Sequence, residues 1–271
     1  GKIVLAAVLG ALVLWGMSEY FIRRRRMVAP AIALSILWAM NATAGLSAQL
    51  AEPFMIAQAD YSSLLLPIGL STAAIAIYWL RFRVPFAMAL IALGVFALSL
   101  MMGAIRMGTP ANVSDFFLLS ASGPFAWITL LVGLVVFAVA MFFDMSDPHR
   151  VTRRSAQGFW LHVVAAPALV NTIALSLLES GTGNAHLMLL AVLLLFAIVA
   201  IVIDRRSFLI AAIVYSITLA GTVFGGDGAA TTVLVLGVFL VTLGAFWTQI
   251  RAALLSPLSG VLPLDRLPPS H

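Results

Sequence analysis

His162 is the only histidine that lies well inside an apolar stretch, about six residues from its predicted cytoplasmic end. Helical rise would therefore place it roughly 9 Å into the membrane. Seven-residue spacing puts Ser155, His162 and Ser176 on one helical face, whereas Asn171 points the opposite way. A polar stripe of this kind could line a solute path. A buried histidine more often bonds a neighbouring helix, at about 1 kcal/mol, and we favour that packing role.

A second polar face lies in an earlier apolar stretch. Asn41, Gly45 and Gln49 follow one another at four-residue intervals and so share one side of a helix. Small and amide residues commonly join helices in lipid, because they permit close backbone approach and interhelical hydrogen bonds. We therefore interpret this face as a packing surface, with a solute path as the alternative.

No catalytic, cofactor or metal site is predicted. All ten acidic residues lie at or near the ends of apolar runs, which argues against a carboxylate-driven pump and an intramembrane aspartic protease. Glu19 precedes Arg23 by one helical turn, as in an ion pair. The chain has no cysteine, so thiolate metal sites are excluded. His186 begins its run on the predicted outer side, whereas His162 lies near the predicted inner side, so the two could not share a haem iron.

Composition predicts an all-α integral membrane protein. The chain is 63% hydrophobic and 9% charged, whereas soluble domains carry about 25% charged residues. The long apolar runs do not alternate as strands of a membrane barrel would, so helices are favoured. The predicted transmembrane helices, about nine in number, are residues 3–22, 27–50, 64–80, 84–105, 125–143, 156–178, 186–203, 208–224 and 231–248. They form one membrane domain, residues 1–248, and an apolar, proline-rich cytoplasmic tail, residues 249–271, follows it.

The basic residues predict the orientation. With the N-terminus outside and the C-terminus cytoplasmic, all but Lys2 and Arg106 of the fifteen basic residues lie on the cytoplasmic side. This distribution is typical of membrane orientation and indicates no nucleic-acid partner. The predicted cytoplasmic loop, residues 144–155, carries candidate contacts to anionic lipid headgroups at Arg150, Arg153 and Arg154.

An internal repeat is a further hypothesis. The third to fifth and the seventh to ninth predicted spans would form two parallel three-helix units, an arrangement found in transporters. The alternative is that apolar helices ending in arginine simply look alike, and we favour that alternative.

The helix ends at Ser18-Glu19-Tyr20-Phe21-Ile22 before Arg23 and at Tyr78-Trp79-Leu80 before Arg81 are followed by tight arginine turns. In these features the chain resembles bacterial multi-pass membrane proteins of unknown function. The resemblance implies a bacterial inner membrane and adds no site residues. We expect a non-enzymatic membrane subunit, scaffold or accessory protein, with membrane lipids and other membrane subunits as partners. The alternative is a transporter or channel for a small, neutral solute.

Overall fold

The computed structural model describes residues 2–53, 60–110, 112–119, 123–180, 184–205, 234, 237–238, 241–258 and 268. Within these residues the secondary structure is helical, without strands. The helices are α1 (Lys2–Ser18), α2 (Val28–Leu50), α3 (Leu65–Phe82), α4 (Ala87–Met107), α5 (Phe125–Met145), α6 (Arg153–Glu179), α7 (Ala185–Val202) and α8 (Trp247–Leu255). A π-helical segment, Glu19–Arg24, prolongs α1, and 3₁₀ turns occur at Ser62–Leu64, Val113–Phe116 and Ser256–Leu258.

In the part of the chain that the structure describes, six helices are long and apolar enough to cross a membrane. They are α1 with its π-helical extension, α2, α3 with its preceding turn, α4, α5 and α6. These correspond to the first six predicted spans, so the helical membrane class is confirmed. The seventh predicted span coincides with α7, whose apolar part, Leu187–Val202, is shorter than these six helices. The eighth predicted span and part of the ninth lie outside the described residues, so nine spans and their orientation stay predictions.

The chain divides into two compact units, and the first comprises Gly1–Val113 and Gly123–Val132. Its core contains an aromatic cluster in which Trp38 stacks on Tyr78 at 5.4 Å between ring centroids. Trp15 lies 5.4 Å from Trp38, and the Tyr78 hydroxyl lies 2.8 Å from that of Ser18. Tyr78 can be fully buried because its hydroxyl has this partner. Bulky apolar side chains such as Leu12, 67% exposed, lie on the outside, as expected for a lipid-facing surface.

The second unit comprises Ser114–Ser122 and Gly133–His271. Helix α6 is its most buried long helix and packs against α7. Helix α6 is continuous through Pro167. Helix α8 begins at Trp247, which packs against Ile201 near the end of α7. The helix therefore runs across the predicted start of the tail at residue 249.

Candidate functional site

A buried ionic cluster joins three separate parts of the second unit. It consists of Asp144 in the last turn of α5, His162 on α6 and Arg205, which follows α7. His162 Nε2 lies 2.9 Å from Asp144 Oδ2, where the ring N–H donates to the carboxylate. Arg205 Nε donates to the same oxygen at 2.9 Å, and its Nη2 donates to Asp144 Oδ1. The carboxylate is therefore bound by a bidentate guanidinium and by an imidazole.

The cluster is buried, and its charged groups are paired and hydrogen-bonded. Asp144, His162 and Arg205 are only 4%, 0% and 7% exposed. Arg205 Nη2 also donates to the Ser155 carbonyl at 2.8 Å and lies 3.2 Å from the Ser155 hydroxyl. Charges buried in this way are tolerated only when they are paired and hydrogen-bonded. The geometry fits a stabilising junction between helix ends.

The sequence of α6 explains why the cluster can form. Ser155, Gly158 and His162 are spaced by three and four residues, so they lie on one face of the helix. A side chain at Gly158 would collide with the Asp144 carboxylate and would crowd the Ala140 carbonyl. Glycine here is required because the carboxylate lies directly against the backbone of α6.

Asp147 closes the connection between α5 and α6. Its carboxylate accepts hydrogen bonds from the Val151 amide at 3.1 Å and from the Thr152 amide and hydroxyl at 2.9 and 2.8 Å. The Ser155 amide adds a longer bond of 3.4 Å. Burial raises the pKa of Asp147, but the hydrogen bonds from Thr152, Val151 and Ser155 outweigh burial and hold that pKa below its ordinary value. The ionised carboxylate thereby stabilises the start of α6.

Asp204 forms a second ionic junction beside the buried cluster. Arg150 Nη1 lies 2.8 Å from Asp204 Oδ2, and Arg150 Nη2 donates to the Asp204 carbonyl at 2.7 Å. Trp247 Nε1 donates to Asp204 Oδ1 at 2.6 Å. The loop before α6 and the start of α8 are therefore both attached to the end of α7.

Arg251 completes the same end of the second unit. It is 2% exposed and donates to the carbonyls of Ile201 at 3.0 Å and Val202 at 3.3 Å. A cation bound to the last carbonyls of a helix satisfies acceptors that lack helical partners. Its Nη2 also donates to the Pro268 carbonyl at 2.6 Å. Pro268, one of the described residues of the predicted tail, thus contacts its own chain.

The predicted polar stripe on α6 is divided between two places. Ser155 and His162 enter the ionic cluster. Ser176 instead accepts from the Leu119 amide at 2.9 Å and donates to the Phe117 carbonyl at 3.1 Å. Asn171 is half-buried elsewhere on α6. Ser155, His162 and Ser176 therefore make polar contacts between α6 and other parts of the second unit.

The predicted face on α2 lies beside α1. Asn41 Nδ2 donates to the Ala7 carbonyl at 2.9 Å. A Cβ at Gly45 would lie 2.5 Å from that of Ala7, so glycine permits the close approach of the two helices. Gln49 is exposed. Asn41 and Gln49 both line a largely apolar cavity of about 290 Å³ between these helices.

The three predicted lipid contacts of the loop are not equivalent. Arg150 is engaged by Asp204, whereas Arg153 and Arg154 are exposed at the start of α6. Sequence reasoning missed that Asp144 binds both His162 and Arg205. The available signal was a set of opposite charges at the ends of spans predicted to lie on the same side.

The described part of the chain contains no group of three or more His, Cys, Asp or Glu side chains arranged to hold a metal ion. No protein-family model matches this chain, and comparisons with curated proteins and with solved structures also gave no match.

Proposed function

We propose that this chain is a non-enzymatic multi-pass membrane subunit, a scaffold or accessory protein of a larger bacterial inner-membrane complex. It would have about nine transmembrane helices, with the N-terminus outside and the C-terminus cytoplasmic. The observation that carries the proposal is the use of polar side chains within the spanning helices. Asn41, Ser18 and the cluster around Asp144 each join helices or helix ends of this chain. This use is typical of packing in lipid.

Helix α1 supplies a surface on which another subunit could pack. Ser18 is the only one of its residues that is buried within the chain. Ile3, Leu9 and Leu12 are 65%, 54% and 67% exposed. Apolar surface of this kind is covered either by lipid or by other membrane helices, and the proposal assigns part of it to a partner subunit.

A pull-down from native membranes, read by mass spectrometry, tests the proposal. We expect the full chain to recover a membrane protein at fixed stoichiometry. Leu9→Phe with Leu12→Phe adds volume on one face of α1 and should lower that recovery several-fold. Leu131→Phe with Leu134→Phe makes the same change at exposed positions of α5 and serves as the matched control. Recovery of no fixed partner from native membranes would contradict the accessory role.

The second candidate is a transporter or channel for a small, neutral solute. It is favoured by one observation, the buried charges of Asp144, His162 and Arg205, because ionisable groups within membrane helices often mark solute or proton paths. Flux in reconstituted vesicles distinguishes the candidates. Loss of a measurable flux in His162→Ala, with the protein still folded, would replace the accessory role by transport.

A further inference from the structure

One end of the first unit carries six arginines around a single carboxylate. We call this the arginine collar and define it as Arg23–Arg26, which follow α1, together with Arg81 and Arg83 at the end of α3. The ends of α1 and α3 meet here, because Glu19 binds an arginine from each. The collar therefore combines charges from two helix ends into one strongly cationic surface.

Glu19 pairs two of these arginines and leaves them half-exposed. Arg23 Nη1 lies 3.1 Å from Glu19 Oε2, and Arg81 Nη2 lies 2.7 Å from Glu19 Oε1. The two arginine side chains are 50% and 41% exposed. Exposed ion pairs are weak, so an incoming anion can compete with Glu19 for both guanidinium groups.

Aromatic rings hold two further arginines at the surface. The guanidinium carbon of Arg83 lies 4.9 Å from the Trp79 ring centroid, and that of Arg25 lies 5.6 Å from the Tyr20 centroid. Arg25 Nε also donates to the Tyr20 hydroxyl at 3.2 Å. These are cation–π distances. Tryptophan and tyrosine at the ends of spanning helices lie at the depth of lipid headgroups, so the neighbouring guanidinium groups lie there too.

Two arginines of the collar occupy backbone positions that favour glycine. Arg26 and Arg83 have φ values of 54° and 52°, in the left-handed region. A residue with a Cβ costs about 1–2 kcal/mol in that conformation. Both positions end helical segments at the collar, and both keep a cation there.

We propose that the arginine collar binds the phosphate-bearing headgroup of an anionic phospholipid. Guanidinium groups bind phosphate oxygens in pairs of parallel hydrogen bonds, which suits them to this ligand. Anionic leaflets attract basic residues at their surface by about 1 kcal/mol per residue. Arg24 and Arg26 are exposed and lie on the same collar, and neither has an ion pair among the described residues, so both add positive charge to it. Lipid binding at the collar does not depend on the accessory role, so either proposal can be wrong while the other holds.

The test measures lipid preference on the purified full chain in nanodiscs that contain phosphatidylglycerol and phosphatidylcholine. Bound lipid is identified by native mass spectrometry after transfer to detergent. Glu19→Gln frees Arg23 and Arg81 and removes no basic residue, so it leaves the charges that orient the chain unchanged. We expect it to raise the preference for phosphatidylglycerol about fivefold, as for one added surface charge. Glu52→Gln makes the same charge change at the far end of α2 and should leave the preference unchanged.

The converse variant combines Arg24→Gln, Arg26→Gln and Arg83→Gln and should lower the preference about a hundredfold. A melting curve on the same sample separates lost binding from lost folding. Three results would overturn the proposal. In the first, the wild-type protein shows no preference for phosphatidylglycerol. In the second, Glu19→Gln and Glu52→Gln change the preference equally. In the third, inorganic phosphate displaces the lipid more than chloride does at equal ionic strength. The last would assign the collar to free phosphate.

Discussion

At the scale of single residues, Asp147 shows how one carboxylate can organise a connection between two membrane helices. It accepts hydrogen bonds from Val151, Thr152 and Ser155, which lie just before α6 or in its first turn. The Thr152 hydroxyl also accepts from the Arg154 amide, so the start of α6 is capped twice. Side-chain acceptors at such positions typically stabilise a helix by about 1 kcal/mol.

This cap should make stability depend on pH. The pKa of Asp147 is lower in the folded protein than its ordinary value, near pH 3.9 in the unfolded chain. Its contribution is therefore fully present above that unfolded pKa and is lost as the pH falls through the folded pKa. We expect Asp147→Asn to lower stability at neutral pH by about 1 kcal/mol and to flatten the loss of stability below about pH 4. Thermal melts across pH in detergent measure both effects.

Glu179→Gln, at the exposed last residue of α6, is the control. A melting profile of Asp147→Asn that parallels wild type at every pH would contradict this role.

At the scale of elements, the lengths of the helices were predictable and their contacts were not. Long apolar runs predicted α1 to α6, because a span needs about twenty apolar residues. The helices nevertheless extend into the predicted loop 144–155, since α5 includes Asp144 and α6 begins at Arg153. Periodicity placed Ser155 and His162 on one face, but it carries no information about which distant residue faces them. Arg205 is 43 positions from His162 along the chain, and only folding brings them to one carboxylate.

The connection between α5 and α6 gives the sharpest probe of orientation. Ser155 would be a poor labelling site because it is only 7% exposed, whereas Val151 is 84% exposed. The chain has no native cysteine, so single cysteines report one position each. We expect Val151→Cys to react with a membrane-impermeant maleimide only after the cells are permeabilised, and Glu52→Cys to react in intact cells. Labelling of Val151→Cys in intact cells would reverse the proposed orientation.

At the scale of the whole molecule, each unit buries several of its polar contacts and exposes many bulky apolar side chains. Tyr78, His162 and Arg251 are buried with bonded partners, whereas Leu12 and Phe142 are each 67% exposed. The composition predicted this exposed apolar surface, because so apolar a chain must be surrounded by lipid. It could not predict that the ionic junctions of the second unit would gather at the ends of α5 and α7.

We propose that the buried charges of Asp144, His162 and Arg205 stabilise the protein and take no part in transport. Replacing one member of a buried ion pair leaves the other charge unpaired, whereas replacing all members by apolar residues is often neutral. We therefore expect Arg205→Met alone to destabilise the protein by about 3–5 kcal/mol. The triple variant Asp144→Leu, His162→Leu, Arg205→Met should recover most of that stability.

The decisive measurement is the melting temperature of these variants together with partner recovery from native membranes. We expect the triple variant to melt near the wild-type temperature and to recover the same partner, whereas Arg205→Met alone should melt at a lower temperature and recover less of the partner. A triple variant that melts like wild type but has lost partner recovery or a solute flux would contradict it, because the charges would then act in function and not in folding.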